Sequence, residues 1–142
     1  MNINHGKYLG VDYGDVRTGL AECDISGMLA SGITTVREGG MRNTAVRVVE
    51  EARSRGCVKI VIGLPRNMDG SRGESARRAE DFAAKLGELT GLPVEMWDER
   101  LTTASAIGYL NQTDVRGKKR KQVVDTVAAT IILQDFLDSR KG

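Results

Sequence analysis

Three short runs of apolar and alternating residues open the chain and predict β-strands. Glycine and aspartate, which are typical of tight turns, stand between them. The runs cover Lys7 to Tyr13, Arg17 to Cys23 and roughly Ala30 to Arg37, with turns at Gly14-Asp15 and at Asp24 to Gly27. The pattern predicts a β-meander.

Helical periodicity begins after the third strand. Four apolar residues recur at i, i+3, i+4 and i+7, which is typical of an amphipathic helix, and Gly56 follows as its end signal. These four are Ala45, Val48, Val49 and Ala52. The run CVKIVIGLP comes next, and it predicts a strand that Gly63 and Pro65 close.

A second amphipathic helix is predicted after a loop. Its apolar face consists of Ala79, Phe82, Ala83 and Leu86. Ser71 and Glu74 stand at the spacing of a capping box and mark its start, whereas Gly91 before Pro93 marks its end.

The rest of the chain repeats the alternation of strand and helix. PVEMWDER predicts a fifth strand, Thr102 to about Gln112 a short helix, and Gln122 to Ser139 a final helix. The order β-β-β-α-β-α-β-α favours an α/β fold whose five-stranded mixed sheet is antiparallel at one side, parallel at the other and covered by helices on both faces. Functional groups are expected at the carboxyl ends of the parallel strands.

Composition limits the class of protein. The chain has 142 residues, 40% of them hydrophobic and 28% charged, which predicts a single domain over residues 1–142. Cys23 and Cys57 lie in strand-like runs without zinc-site spacing, so buried, reduced thiols are expected. No signal peptide or membrane span is recognisable, and a cytoplasmic protein is expected. A net charge of +2 is too small to indicate nucleic acid by itself.

Carboxylates stand where this architecture concentrates function. Asp12 ends the first strand, Asp98 and Glu99 end the fifth, and Asp125 shares a helix face with Ala128-Ala129. A carboxylate against apolar neighbours needs a cation or a shifted pKa. Because no histidine cluster accompanies these acids, the implied ion is a hard one held by oxygen, Mg²⁺ or Mn²⁺.

Ordinary structural roles for these acids remain open at this stage. Asp12 suits a turn or cap. Asp98 or Glu99 suits a salt bridge with Arg100 or a helix cap, and Asp125 suits a solvent-facing position, although a mid-helix aspartate among apolar residues has low helix propensity.

Four motifs in order resemble the YqgF family, whose members are called pre-16S rRNA nucleases or RuvX-type Holliday junction resolvases. The motifs are DYGDVRTGLA at 12–21, GLPRNMDGS at 63–71, DERLTT at 98–103, and Asp125 followed by Ala128-Ala129. The resemblance runs from about Tyr8 to Leu137. It implies the ribonuclease H-like fold and a metal-dependent endonuclease, expected to act in processing the 5′ end of pre-16S rRNA.

The same resemblance implies a metal site. Asp12 becomes the first-strand ligand, Glu99 the acid at the end of the fifth strand, and Asp125 the acid of the C-terminal helix. Asp98 points to the opposite face if the pleat continues. Two Mg²⁺ ions ~4 Å apart would serve hydrolysis of a phosphodiester. Related RuvC-type resolvases carry another acid where this chain has Gln122, so one ion or two remain open.

Basic and polar residues near these acids are candidates for holding phosphates. Arg17 and Arg100 would hold the scissile phosphate, or else form surface ion pairs. The loop from Asn67 to Ser71 leads into a helix N-terminus, a setting that suits phosphate, and is otherwise a turn and cap. RGKKRK at 116–121, which contains Lys118, Lys119, Arg120 and Lys121, predicts either a solvated loop or a flexible basic arm over the site.

Several functions are compatible with these residues. Structured RNA and branched DNA, including a Holliday junction, would use the same acids and basic residues, and pre-ribosomal particles are candidate partners. A non-catalytic nucleic-acid-binding scaffold is a further alternative, favoured by Gln122. An actin-like ATPase or sugar kinase would need two such domains. The chain is expected to be a monomer or a homodimer without membrane contact.

Overall fold

A five-stranded mixed sheet forms the centre of the molecule. It is seen in a computed structural model that describes residues 6–65, 69, 71–99 and 118–140; in the last helix, side chains are described from Thr126 onward. The strands are β1 (Lys7–Asp12), β2 (Thr18–Cys23), β3 (Ala30–Val36), β4 (Cys57–Leu64) and β5 (Val94–Asp98). Their order is β3-β2-β1-β4-β5. The β1/β2 and β2/β3 pairs are antiparallel, and β1/β4 and β4/β5 are parallel. The predicted mixed sheet is confirmed.

Helices cover both faces of this sheet. They are α1 (Met41–Ser54), α2 (Glu74–Thr90) and α3 (Lys118–Ser139). Gly91, with a φ of 73°, ends α2 in the left-handed conformation, as the sequence predicts.

Strand alternation divides the apolar residues into two cores. In the first core, Leu9 and Val11 of β1 pack with residues of α1 and α2. In the second core, Tyr8 of β1 packs with Ile132 and Phe136 of α3. Successive side chains of a strand point to opposite faces, so odd positions of β1 face α1 and α2 and even positions face α3.

Three local expectations are corrected. Ser71 does not cap α2: Gly73 stands at the N-cap, and Ser71 donates through its backbone N–H and Oγ to Asp69 Oδ1 at 2.8 and 2.7 Å. Gly63 does not close its strand but lies inside β4. The last helix begins at Lys118, four residues before the predicted start at Gln122, because lysine and arginine are good helix formers.

Two further expectations concern cysteines and membranes. Cys23 and Cys57 are both free and buried, as predicted, and they lie in different cores. Burial raises the pKa of the Cys57 thiol to about 11. In the described part of the chain, no helix combines the length and the apolarity that a membrane crossing requires. The predicted helix over 102–112 lies outside the described residues.

Candidate metal and nucleic-acid site

Asp12 is the last residue of β1, at the carboxyl end of a parallel strand pair. Leu9 and Val11 belong to the first core and Tyr8 to the second. By strand alternation, Asp12 therefore lies on the face that α3 covers. The sequence predicts a functional acid at the end of the first strand, and the structure adds which face of the sheet it lies on.

Glu99 directly follows β5 and returns over the neighbouring strand β4. A Cβ placed on Gly63 would stand only 2.5 Å from Glu99 Oε2 and 2.6 Å from Ile132 Cδ1 of α3. The carboxylate thus occupies the space that the missing side chain of Gly63 leaves. Trp97, two residues earlier, belongs to the second core, which places Glu99 on the same face of the sheet as Asp12.

Gly63 lies on β4, the strand between the one that ends in Asp12 and the one that Glu99 follows. Its Cα partner in β5 is Trp97, and it follows Ile62, the partner of Val11 in β1. Asp12 therefore stands about one strand spacing, ~4.8 Å, from the backbone over which the Glu99 carboxylate lies. The fold brings the acid of the first strand and the acid of the fifth strand to one edge of the sheet.

The environment of Glu99 disfavours its charged form. Burial, and secondarily the negative charge of Asp98, raises the pKa of the Glu99 carboxyl from its ordinary 4.5 to about 7. Val94, Met96 and Asp98 are alternate residues of β5, and the first two pack against the first core. Asp98 is thus on the opposite side of β5, as the sequence predicts for two neighbouring strand residues.

Position 125 lies in α3, one turn before Ala128 and Ala129, which are buried against the sheet. The Asp125 side chain is outside the described residues. Among the side chains that are described, no three from histidine, cysteine, aspartate and glutamate form a metal-binding group. The convergence of Asp12, Glu99 and Asp125 therefore stays a prediction.

A cleft of about 290 Å³ adjoins Asp12. It is lined by residues 12–17, so that Asp12 and Arg17 share one concave surface. Gly14 and Thr18 close this turn: Thr18 Oγ1 donates to the Gly14 carbonyl oxygen at 3.3 Å. Arg17 therefore lies on the same concave surface as the first acid, and its contact with a phosphate stays a prediction.

The other predicted phosphate contacts are placed only in part. Arg100 and Asn67 lie outside the described residues. Ser71 is exposed beside Asp69, three residues before α2 begins. The segment from Lys118 to Lys121 forms the first turn of α3 and is thus helical, neither a loop nor a flexible arm.

Gly63, interpreted from the sequence as a strand breaker, contributes to the site instead. A lone glycine inside a β-branched run also signals that another group approaches the backbone closely. That signal is present in CVKIVIGLP. Which group approaches is a tertiary fact, and here the groups are the Glu99 carboxylate and Ile132.

The chain that carries this site matches known proteins over nearly its whole length. The model of the RuvX family, described as a Holliday junction resolvase, matches residues 6–139. The chain belongs to the RuvX family. A protein of Caldanaerobacter subterraneus is 43% identical over 137 residues, covering 96% of this chain and 99% of its own. One of Pelotomaculum thermopropionicum is 44% identical over 135 residues, covering 94% and 88%. Both carry the name "Putative pre-16S rRNA nuclease".

Solved structures show the same fold for this RuvX-family chain. Thermus thermophilus RuvC, in complex with a Holliday junction substrate, superimposes with a TM-score of 0.55 at 15% identity and covers 97% of both chains. Fowlpox virus resolvase with Holliday junction DNA gives 0.56 at 9% identity, covering 96% of this chain and 99% of the other. The ribonuclease H-like fold is confirmed. Family and relatives together identify the chain as a nuclease.

Proposed function

We propose that this RuvX-family nuclease is a divalent-metal-dependent endonuclease that processes the 5′ end of pre-16S rRNA. The observation that carries the proposal is the position of the Glu99 carboxylate over Gly63, beside the strand that ends in Asp12. Two acids on one face, at the carboxyl ends of parallel strands, supply the hard oxygen ligands that Mg²⁺ and Mn²⁺ prefer.

The donor set suits a divalent ion. Gly63 leaves a cradle that any larger side chain would fill, and the Glu99 carboxylate occupies it in a half-buried setting that disfavours an uncompensated negative charge. Asp12, Glu99 and Asp125 would hold Mg²⁺ or Mn²⁺, with Gln122 as a neutral neighbour one turn before Asp125. When bound, such an ion supplies an activated water and charge stabilisation for phosphodiester hydrolysis. Glu99 would release its proton on binding, because a ligating carboxylate is deprotonated.

Cations in two places suit phosphate binding. Arg17 shares the cleft with Asp12 and would hold the scissile phosphate, together with Arg100. Lys118, Lys119, Arg120 and Lys121 occupy the first turn of α3, a turn that contains no acidic residue and where the helix macrodipole disfavours positive charge. Their helix propensity suits this turn but does not require positive charge there, whereas contact with a polyanion would. Asn67 and Ser71 would contact a flanking phosphate before α2.

The relatives and the family description support two substrate classes. Proteins 43% and 44% identical over nearly the full chain are named for pre-16S rRNA, which favours structured RNA. The RNA would be met alone or within pre-ribosomal particles, in the cytoplasm. The family description as a Holliday junction resolvase supports a second candidate, branched DNA. Resolution of two symmetric strands would require a homodimer, whereas RNA processing is compatible with a monomer.

A cleavage assay tests both candidates. A labelled 5′ segment of pre-16S rRNA and a four-way DNA junction are each incubated with the purified chain in Mg²⁺, Mn²⁺ or EDTA. We expect discrete cleavage of the RNA with either ion, none in EDTA, and a reduction of at least ~10²-fold in Asp12→Asn, Glu99→Gln and Asp125→Asn. Cleavage of the junction but not of the RNA would identify branched DNA as the substrate. Cleavage that persists in EDTA would contradict metal dependence.

A further inference from the structure

The turn that carries Arg17 is tied to helix α2 at two points. This turn, residues 13–17, connects Asp12 at the end of β1 to β2 and lines the cleft. The Tyr13 ring stacks on Phe82 of α2, with centroids 4.2 Å apart and an interplanar angle of 19°. Asp15 forms an ion pair with Arg78, one helical turn before Phe82. The turn therefore rests on α2 through one apolar and one charged contact.

The two contacts differ in exposure. Phe82 is fully buried, and its stack with Tyr13 belongs to the first core. The side chains of Asp15 and Arg78 are 55% and 46% exposed. Exposed ion pairs add little to global stability. The Asp15–Arg78 pair is thus poorly explained as a stabilising element, whereas it links the turn to α2 at a second point beside the Tyr13–Phe82 stack.

Arg78 is itself held in place from within its helix. Its Nε lies 3.3 Å from Glu74 Oε2, one turn earlier in α2. The guanidinium thus bridges the first turn of α2 and the turn 13–17 at the cleft. α2 begins three residues after Ser71, so this bridge links the turn that carries Arg17 to the helix that follows the other segment proposed to hold a phosphate.

We propose that Arg78 is a positioning residue that acts through Asp15 to hold the turn 13–17, and with it Arg17, in the orientation required at the scissile phosphate. This inference rests on the proposed nuclease function for its kinetic consequence. In this role Arg78 acts on the substrate only through Asp15 and the turn. A displacement of about 1 Å in a group that contacts the substrate can cost up to ~10²-fold in rate, which makes a weak ion pair worth retaining at this position.

Two single substitutions separate positioning from simple charge attraction. Asp15→Asn removes a negative charge beside the cleft, so charge attraction alone would tighten binding of a polyanion and leave cleavage intact or faster. Positioning makes the opposite prediction. We expect kcat to fall about tenfold in Asp15→Asn and in Arg78→Gln. The double variant should be no worse than either single variant, because both act through one contact.

The conservative variant and a matched control complete the kinetic test. Arg78→Lys keeps the ion pair and should retain most of the wild-type kcat. Arg47→Gln removes an ion pair within α1, in which Arg47 is 44% exposed and Glu51 keeps its second ion pair with Arg55, and it should leave kcat unchanged. Wild-type kcat in Asp15→Asn, or reductions that multiply in the double variant, would overturn the proposal and make Arg78 a direct phosphate contact.

A substrate-free measurement distinguishes failure of this inference from failure of the proposed function. Hydrogen exchange of the amides of residues 13–17 should accelerate several-fold in Asp15→Asn and Arg78→Gln, while the melting temperature stays within about 2 °C of wild type. Arg47→Gln should leave both the exchange of these amides and the melting temperature as in wild type. If the wild-type chain cleaves neither substrate, the proposed function fails but the exchange result still stands. Unchanged exchange in both variants would show that Asp15–Arg78 does not hold the turn.

Discussion

The carboxylate of Glu99 lies against the backbone of Gly63, so close that a Cβ on Gly63 would be 2.5 Å from Oε2. Gly63 does not have a positive φ, and its backbone would accept any residue. Glycine is therefore required here for space. The same absent side chain also admits Ile132 of α3, so one position controls both an acid of the candidate site and the approach of the last helix.

Gly63→Ala should damage both stability and activity. The new methyl group would contact Glu99 Oε2 and Ile132 Cδ1 at about half an ångström or more inside normal distances, so the ends of these two side chains must shift. Overpacking of this kind costs about 1–3 kcal/mol in the free energy of unfolding. Urea unfolding and RNA cleavage measure the two effects.

Gly87→Ala is the matched control for that substitution. Gly87 lies within α2 and a Cβ there would meet nothing within 4 Å. Alanine should raise the free energy of unfolding by up to ~1 kcal/mol, because it has the higher helix propensity, and cleavage should not change. Full cleavage activity in Gly63→Ala would mean that Glu99 tolerates displacement and would weaken its assignment as a ligand.

Glu99 should make the metal-free chain less stable as the pH rises. Its pKa is about 7 in the folded chain and 4.5 ordinarily. Below pH 4.5 both states are protonated and the group contributes nothing. Between pH 4.5 and 7 the unfolded chain loses this proton while the folded chain keeps it, so stability falls by about 3 kcal/mol and stays lower above pH 7.

Glu99→Gln should remove this pH dependence, because the amide does not titrate. In EDTA, the free energy of unfolding of the variant minus that of wild type should increase by about 2–3 kcal/mol from pH 5 to pH 8. Urea titrations at both pH values measure it. Parallel pH profiles for the two proteins would show that Glu99 titrates normally in the folded chain.

Asp98 and Glu99 should respond very differently to removal of charge. Asp98 lies on the same face of β5 as Val94 and Met96, which pack against the first core. Glu99 lies over Gly63 on the opposite face, which α3 covers. We expect Glu99→Gln to abolish cleavage. Asp98→Asn should keep most of it and lower the pKa of Glu99, since the charge of Asp98 contributes to raising it. Equal reductions at matched Mn²⁺ concentration would place both acids at the metal.

The basic first turn of α3 should control the salt dependence of binding. Glutamine at Lys118, Lys119, Arg120 and Lys121 keeps good helix propensity and removes charges that oppose the macrodipole, so folding should be unaffected or slightly improved. The slope of log affinity against log salt should flatten by roughly 0.7–0.9 for each phosphate that the variant no longer neutralises. Fluorescence anisotropy in Ca²⁺ measures binding, and superimposed lines for the two proteins would assign phosphate binding to other residues.

The sequence by itself determined the order of the elements and the location of the acids along the strands. The periodicity of Ala45, Val48, Val49 and Ala52 and the alternation in β1 are local properties, imposed by 3.6 residues per helical turn and two per strand repeat. For the same reason, the alternation of side chains between faces was enough to separate Asp98 from Glu99.

Only the tertiary structure decided which groups meet. Asp15 and Arg78 are 63 residues apart, and nothing periodic links them. Glu99 reaches Gly63 because β5 pairs in parallel with β4, and Ile132 reaches the same point because α3 crosses that face. Such contacts depend on strand order and helix position, which result from packing of the whole chain and leave no regular spacing in the sequence.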